Sequence, residues 1–290
     1  MSRVVYINGE FIPEEEAKIT VYDHGLLYGD GAFEGIRVYS GKVFKLREHL
    51  SRLYNSAHAL MINLPITQDE MEQAILTALR TNGIVDGYIR ITITRGVGLG
   101  LDPRGVKNPT IIIMTDKLSL YPKEMYEEGL KVVTVSTRVP PAQSVEPRIK
   151  SLGKYVCNIQ AKIEANRVGA GEGLMLNVEG YVAEATGDNI FLIKNGKIIT
   201  PPPYAGILEG ITRNTVMELA RDMGITVEEK LFTLFDVYTA DECFLTGTAA
   251  EVIPAVNVDA RDIGTGQPGT ITKQLIEAYR NLTRTEGVQI

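Results

Sequence analysis

The sequence has few of the residues that form disulfide frameworks or metal centres. It contains two cysteines and three histidines among 290 residues. Two cysteines are too few for a disulfide framework, and the histidines do not cluster with them at the spacing of metal ligands. We therefore expect no disulfide framework and no bound metal.

Blocks of basic residues and long apolar runs are also missing. The formal net charge is −6, which argues against a general nucleic-acid binder. No uninterrupted apolar run approaches the roughly 20 residues of a membrane span, and the N-terminal stretch MSRVVYINGEFIPEEE lacks the apolar core of a signal peptide. The protein is predicted to act on small molecules in the cytoplasm, without nucleic acid or membrane partners.

The pattern of short elements indicates an α+β fold in two domains. The Asn8-Gly9 dipeptide suits a tight hairpin turn, as does Asn195-Gly196. Apolar residues at helical spacing predict helices near residues 47–61, 67–81 and 211–223. Because several strand pairs are joined by turns too short for a parallel crossover, we expect mostly antiparallel sheets with flanking helices.

A polar, irregular stretch after the strand-like run TIIIMT is the best candidate for an interdomain connection. We place an N-terminal α/β domain at residues 1–115, the connection at 116–128 and a C-terminal domain at 129–290. A chain of 290 residues is long enough for two ordinary domains with their own cores.

The segment YIRITITRG alternates strictly between two kinds of side chain. Its isoleucines fall on one face of a strand, and Tyr88, Arg90, Thr92 and Thr94 fall on the other. A polar face on a central strand indicates a binding site.

Two residues suit carbonyl chemistry with a cofactor. Lys150 precedes a predicted helix whose apolar side chains are Leu152, Val156, Ile159 and Ile163, and Glu184 stands at the start of the polar turn EATGDN. A lysine with a lowered pKa can attack a carbonyl, and a carboxylate can hold a ring nitrogen protonated. This pair is typical of pyridoxal phosphate enzymes, although spacing alone does not distinguish Lys150 from Lys154.

The sequence also offers three parts of one phosphate site. Gly210 and Thr212 open a predicted helix whose free N–H groups favour an anion. The small-residue turn TGTAA at 246–250 can aim further N–H groups, and Arg52 lies off the apolar stripe of its helix, where it can offer a bidentate fork.

Six motifs carry a resemblance to a known family: GDGAFEGIR, HLSRL, RIKSL, EATGDN, LEGITRN and TGTAAEVIP, in this order along the chain. The chain resembles the class IV, fold-type IV pyridoxal-phosphate-dependent aminotransferases, and is most similar to the branched-chain amino acid aminotransferases. The resemblance implies the two-domain fold of the D-amino acid aminotransferases with the cofactor between the domains. It covers about residues 6–276.

The resemblance also implies a role for individual residues. Lys150 matches the Schiff-base lysine, Glu184 the partner of the pyridine nitrogen and Tyr155 the partner of the ring hydroxyl. We accordingly expect Lys150→Ala to abolish transamination and Lys154→Ala to leave most of it intact. The phosphate-binding positions of the family match Arg52, Ile211, Thr212 and Thr248. The turn EATGDN departs from the EG(S/A)GEN of many relatives at Ala185 and Asp188, so turn geometry and substrate fit are expected to differ there.

For the substrate, the resemblance implies transamination between L-branched-chain amino acids and 2-oxoglutarate by a ping-pong mechanism. Tyr88 and the backbone N–H groups of Thr248 and Ala249 match positions that bind the α-carboxylate. The side-chain pocket matches Tyr28, Phe33 and Tyr121, and Arg90 is placed to pair with the second carboxylate of glutamate.

Three alternatives stay open. Two belong to the same superfamily, a D-amino acid aminotransferase and an aminodeoxychorismate lyase, although GDGAFEGIR and YIR resemble the branched-chain members more closely. The third is a phosphate-binding protein without catalysis, in which Lys150 and Glu184 are structural.

The resemblance further implies a homodimer at least, with a hexamer left open.

Overall fold

The structure is a computed structural model that describes residues 3–117 and 121–290. Its strands are β1 (Val4–Ile7), β2 (Glu10–Pro13), β3 (Gly31–Tyr39), β4 (Lys42–Val43), β5 (Gly87–Thr94), β6 (Thr110–Asp116), β7 (Leu130–Thr134), β8 (Glu172–Leu176), β9 (Val182–Ala185), β10 (Asn189–Lys194), β11 (Lys197–Thr200), β12 (Val227–Glu229), β13 (Glu242–Gly247), β14 (Glu251–Val258), β15 (Arg261–Asp262) and β16 (Val288–Gln289). Its helices are α1 (His24–Tyr28), α2 (Leu46–Ala59), α3 (Gln68–Asn82), α4 (Lys123–Glu128), α5 (Tyr155–Arg167), α6 (Ile211–Asp222), α7 (Leu234–Tyr238) and α8 (Thr270–Thr285). No helix in the described ranges has the length and apolarity needed to cross a bilayer.

Residue contacts divide the chain into two compact units. The first unit comprises the described residues up to 117 together with Ile149–Gly153 and Thr283–Ile290, and the second comprises residues 121–148 and Lys154–Leu282. Each unit has its own hydrophobic core.

The first unit is built on a seven-stranded sheet in the order β16-β4-β3-β5-β6-β1-β2, and every pairing in it is antiparallel. The isoleucines of β5 are fully buried and its other side chains from Tyr88 to Thr92 are half-buried. The predicted alternation of YIRITIT is therefore confirmed. Helices α2 and α3 pack on the buried face, and Asn8 and Gly9, both with positive φ, turn β1 into β2 as predicted.

The second unit is built on β12-β11-β10-β13-β14-β7-β8-β9, and β9 also pairs with β10, which closes part of this sheet on itself. Most of its pairings are antiparallel, as predicted, and β11–β12, β14–β7 and β7–β8 are parallel. The α+β class with mostly antiparallel sheets and flanking helices is confirmed.

The segment that carries Lys150 lies in the first unit, whereas residues 129–290 were predicted to form one C-terminal domain. The reason is backbone pairing with the β3 region. Phe33 N–H donates to Lys150 O at 3.0 Å, and Leu152 N–H donates to Gly31 O at 2.9 Å. Gly29 and Gly153 allow the two segments to approach, since a Cβ at Gly29 would lie 2.9 Å from the Gly153 Cα.

The predicted connection at 116–128 is partly helical. Residues 118–120 lie outside the described residues. Residues Lys123–Glu128 form α4, and the side chains of Met125 and Tyr126 pack against the core of the second unit. The rest of the predicted domain boundaries stay predictions.

The predicted helix after Lys150 begins later than expected and turns a different face inwards. It starts at Tyr155, and Val156, Ile159 and Ile163 are about half exposed in the single chain, at 59%, 60% and 46%. The buried face consists of Asn158, Ala161 and Ala165. Small side chains allow α5 to lie close to β8, so size and not apolarity decides which face is buried.

Candidate active site

Lys150 is held beside β3 in the first unit. Its N–H donates to Ser56 Oγ at 3.3 Å and its carbonyl accepts from Phe33 N–H. The Lys150 Nζ lies 4.9 Å from the centre of the Phe33 ring. The Phe33 ring and the backbone contacts therefore fix the position of the Lys150 side chain beside β3.

Phe33 joins Lys150 to Arg90. The Arg90 Cζ lies 3.6 Å from the centre of the same ring, a cation–π contact. In the described part of the chain no carboxylate pairs with Arg90, although its half-buried side chain is close enough to Phe33 to be positioned by it. The guanidinium therefore keeps its hydrogen-bonding edge for a ligand.

Tyr88 lies on the same strand face as Arg90, two residues earlier. A Cβ at Gly35 on the paired strand β3 would lie 2.0 Å from the Tyr88 Oη. Only glycine therefore leaves room for the Tyr88 hydroxyl across β3. This explains one glycine of the GDGAFEGIR motif in physical terms.

Arg52 is fixed by a carboxylate that the sequence analysis did not single out. Glu34 is fully buried, and its Oε1 accepts from Arg52 Nε at 2.6 Å while its Oε2 accepts from Arg52 Nη2 at 3.0 Å. The His49 Nδ1 lies 2.8 Å from the same Oε2. Glu34 and His49 belong to the motifs GDGAFEGIR and HLSRL, but nothing in their spacing marks them as a pair.

Glu34, Arg52 and His49 influence one another's charge. Burial opposes ionisation of Glu34, but Arg52 and His49 outweigh it and hold the pKa of the carboxyl well below its usual range. Burial lowers the pKa of His49 below its ordinary value, with Glu34 acting in the opposite direction. Arg52 is thus a preorganised cation, with its side chain 14% exposed.

We expect Glu34→Gln to destabilise the protein by about 3 to 5 kcal/mol, because it leaves a buried cation without its partner. The depressed pKa means that Glu34 stabilises the fold fully above the pKa of the unfolded carboxyl, and that this contribution is lost as the pH falls towards the folded value. Urea unfolding at pH 7 and in acid measures both effects. The difference between the two proteins should shrink below about pH 4; a difference that is constant with pH would contradict the charge-based explanation.

In the second unit, Glu184 stands in a row of polar residues across three strands. Glu184 on β9 pairs with Asn189 on β10, and Asn189 pairs with Thr246 on β13. All three side chains are buried. The Thr246 Oγ1 has no hydrogen-bond partner within the described ranges, although a buried hydroxyl normally has one.

The N-terminus of α6 lies beside this row. A Cβ at its N-cap residue, Gly210, would lie 2.1 Å from Asn189 Oδ1, and no side chain caps the helix in the described residues. Its first N–H groups, from Ile211 and Thr212 onwards, therefore suit an anion. The turn that follows Thr246 places Thr248 and Ala249 half-buried next to the same strand end.

Both oxygens of Glu184 have partners. The Leu208 N–H donates to Oε2 at 2.8 Å, and the Lys154 Nζ donates to Oε1 at 3.0 Å. Lys154 is buried and was not predicted to take part. Its contact with Glu184 argues against a neutral effect of replacing Lys154, because removing one member of a buried ion pair leaves the other uncompensated.

The three remaining predicted residues have different surroundings. Tyr155 opens α5 and is half-buried. The Tyr121 hydroxyl donates to Glu172 Oε2 at 3.1 Å, and burial together with Asp188 and Glu172 raises the pKa of its phenol. Tyr28 lies on α1, 43% exposed, where its hydroxyl accepts from Gly100 N–H at 3.1 Å.

The residues present fit pyridoxal phosphate. The second unit combines an uncapped helix N-terminus and an unpartnered buried hydroxyl, which suit a phosphate, with a buried carboxylate in the same row, which suits a ring nitrogen; all of these lie in the part of the chain that the structure describes. The first unit brings Lys150, Phe33, Arg90 and, through Glu34, Arg52 to the region of β3. The members of each group lie within a single unit.

Known proteins agree with the resemblance drawn from the motifs. Residues 31–258 match the family model of the class IV amino-transferases. The chain is 48% identical to a putative branched-chain-amino-acid aminotransferase of Methanocaldococcus jannaschii, over 99% of this chain and 98% of that protein. The structure of the Escherichia coli branched-chain amino acid aminotransferase is 35% identical, with a TM-score of 0.96 over 99% of this chain and 97% of that one.

A crystal structure of the T.th. branched-chain amino acid aminotransferase with N-(5'-phosphopyridoxyl)-L-glutamate is also similar. It is 37% identical, with a TM-score of 0.92 over 98% of this chain and 95% of that one. Identity and coverage at this level are far above what fold similarity alone requires. The chain belongs to the class IV amino-transferases and, within them, to the branched-chain amino acid aminotransferases.

Proposed function

We propose that the protein transfers the amino group between L-branched-chain amino acids and 2-oxoglutarate, with pyridoxal phosphate as its cofactor. The observation that carries this proposal is identity of 48% over nearly the whole of a putative branched-chain aminotransferase. The complex of the T.th. enzyme with a phosphopyridoxyl derivative of glutamate supports glutamate and its keto acid as the second substrate pair. The two half-reactions follow one another in a ping-pong cycle.

The chain's own residues then have distinct tasks. Arg52, the N–H groups of Ile211 and Thr212, and Thr248 hold the cofactor's phosphate, Tyr155 holds the ring hydroxyl, and Glu184 holds the ring nitrogen. When bound, pyridoxal phosphate supplies an electron sink for the bonds at the substrate's α-carbon. Lys150 would carry the cofactor between turnovers, and its Nζ would take the α-proton from the substrate as general base and deliver it to the cofactor as general acid.

Substrate recognition is assigned to two sets of residues. Tyr88 and the N–H groups of Thr248 and Ala249 bind the α-carboxylate that both substrates share. Phe33, Tyr28 and Tyr121 enclose the apolar side chain, and Arg90 pairs with the second carboxylate of glutamate. The exposed edge of the Arg90 guanidinium, which is not taken by any carboxylate in the described residues, supports this assignment.

Purified protein loaded with pyridoxal phosphate tests the proposal directly. We expect glutamate and 4-methyl-2-oxopentanoate from L-leucine and 2-oxoglutarate, and little product from D-alanine. Transamination of D-amino acids alone would favour a D-amino acid aminotransferase. Release of pyruvate from aminodeoxychorismate would favour the lyase, and a colourless protein that takes up no pyridoxal phosphate would favour a protein without catalysis.

Glu184→Gln should still bind pyridoxal phosphate but turn over about ten- to a hundredfold more slowly, because a neutral amide does not hold the ring nitrogen as a cation. The estimate follows from about 1.5 to 3 kcal/mol for a charge-assisted hydrogen bond. Stopped-flow absorbance with L-leucine measures the rate. An unchanged rate would remove Glu184 from this role.

The amino and keto acid substrates follow from the family. We propose in addition that the chain forms at least a homodimer. An apolar surface on the first unit supports this proposal. Its side chains are exposed, and loop 97–101 lies next to α1: the Gly98 N–H donates to Tyr22 O, just before α1, and the Gly100 N–H donates to the Oη of Tyr28, the last residue of α1. The exposed side chains of this α1 patch are Val21, Tyr22, Leu26, Leu27, Tyr28, Val97, Leu99 and Leu101.

A contiguous apolar surface of this kind marks an interface more often than a free surface. We expect the double variant Leu99→Glu and Leu101→Glu to form monomers and to lose activity on dilution. Sedimentation velocity at assay concentration measures the assembly, with Met223→Glu as the control because Met223 is an exposed apolar residue of the second unit. A parent protein that is monomeric and fully active at assay dilution would refute the dimer. The hexamer and the cytoplasmic location stay predictions.

A further inference from the structure

The Lys154 ammonium is a buried charge in the second unit. Its side chain is 1% exposed, and its Nζ lies 3.0 Å from Glu184 Oε1 and donates to Pro147 O at 3.3 Å. Long charged side chains are almost never fully buried unless they are paired. The contacts of Lys154 are therefore a part of how Glu184 is built into the fold.

The Glu184 carboxylate is fixed at both ends. Leu208 N–H holds Oε2, and Asn189 Nδ2 donates to Leu208 O at 2.9 Å, so the Leu208 backbone is itself held by a strand residue. Lys154 holds Oε1 from the start of α5. A side chain held from two independent elements has little rotational freedom, which is a requirement for a preorganised site.

The charge balance favours an ion pair. Burial favours the neutral amine, but the Glu184 carboxylate outweighs it and raises the pKa of Lys154 above its usual value. The titratable groups that face the Lys154 ammonium are Glu184 on β9, Tyr155 and Cys157 on α5, and Glu146 in the preceding loop. Of these, Glu184 is the buried carboxylate in direct contact.

We propose that Lys154 is a positioning residue for the cofactor: it holds Glu184 as an oriented carboxylate before the ring nitrogen arrives. This inference rests on the proposed function, because it assumes that Glu184 meets the pyridine nitrogen. Without Lys154, the contact that holds Glu184 Oε1 from the start of α5 is lost. The carboxylate is then less well oriented towards the ring nitrogen, and cofactor binding weakens.

Equilibrium binding of pyridoxal phosphate to the cofactor-free protein provides a test that does not depend on turnover. Absorbance or fluorescence titration gives the dissociation constant for the parent, Lys154→Met, Glu184→Gln and the double variant. We expect Lys154→Met to weaken binding about ten- to a hundredfold, which is the range for one charge-assisted hydrogen bond. In the Glu184→Gln background the same substitution should change binding by less than about twofold, because its effect acts through Glu184.

Variants that keep or remove the charge separate positioning from packing. Lys154→Arg, which keeps the charge, should restore the parent's dissociation constant more fully than Lys154→Gln, which keeps only a hydrogen bond. Far-UV circular dichroism checks that each cofactor-free variant is folded.

The possible outcomes separate the two proposals. A parent that does not bind pyridoxal phosphate overturns the proposed function. A parent that binds it, with Lys154→Met unchanged or with an equal loss in the Glu184→Gln background, overturns the role of Lys154 alone. If Lys154→Met does not fold, Lys154→Gln takes its place in the same cycle, and the double variant removes both charges of the pair and so avoids an unpaired buried charge.

Discussion

Replacing Lys150 with alanine should abolish transamination, with a loss of at least about 10²- to 10⁴-fold from proton transfer alone. Loss of the cofactor's attachment lowers the activity further. The Lys150 amine lies over the Phe33 ring, and the variant leaves no primary amine at that position. Steady-state assay with L-leucine and 2-oxoglutarate measures the activity. Borohydride reduction followed by peptide mapping identifies the lysine that carries the cofactor.

The matched control is Lys131→Ala, which removes an exposed lysine from β7 and should leave activity within about twofold of the parent because it touches none of the proposed site. Lys154→Ala is not a suitable control, since Lys154 pairs with Glu184. A pyridoxyl adduct on Lys154 instead of Lys150 would reverse the assignment of the two lysines.

Local patterns predicted most of the elements that position the site. The predicted helices near 47–61, 67–81 and 211–223 correspond to α2, α3 and α6, and the second has a full capping box between Thr67 and Glu70. Alternation in YIRITIT placed Tyr88 and Arg90 on one face. These signals are local, since each depends on residues within one or two turns or along one strand.

Predictions failed where the outcome depends on long-range contacts. The apolar spacing of Val156, Ile159 and Ile163 indicated a helix correctly, but it did not reveal that Ala161 and Ala165 face the core. The position of the next strand decides which face is buried, and no local pattern contains it. Exposure of an apolar stripe in the single chain is also what an interface with another copy requires.

The same limit explains the residues that sequence analysis missed. Glu34 and Arg52 are 18 residues apart, and Lys154 and Glu184 are 30 apart. Buried ion pairs of this kind join different elements, so neither partner carries a sign of the other. One signal was available: Glu34 is a charged residue among the apolar neighbours of the run GAFEGI, and a buried charge needs a partner.

The segment around Lys150 shows how one glycine pair can decide to which unit a functional residue belongs. The Gly153 N–H donates to the carbonyl of Gly29, whose φ is 67°, and the residues immediately before Gly153 pair with β3. A side chain at Gly29 would separate the two backbones. Lys150 is consequently fixed relative to Phe33 and Arg90, with which it shares the first unit.

Replacing Arg90 with methionine should impair one half-reaction much more than the other. Glutamate and 2-oxoglutarate carry a second carboxylate that Arg90 pairs with, and loss of one buried partner of a charge pair costs about 2 to 5 kcal/mol. That corresponds to about 30- to 5,000-fold in the single-turnover rate with glutamate. Methionine keeps an apolar stem against the Phe33 ring, so the side-chain packing is largely retained.

The leucine half-reaction should change by less than about tenfold, since an apolar side chain does not use the guanidinium and only the indirect effect through Phe33 remains. Single-turnover rates with L-leucine and with L-glutamate, measured on the same preparation, decide between the explanations. Equal losses with both substrates would mean that Arg90 supports Phe33 or the α-carboxylate, and no loss with either would place Arg90 outside the site. Arg167→Met is the control for general effects of removing an arginine, because Arg167 is exposed at the end of α5 in the second unit and should leave both rates unchanged.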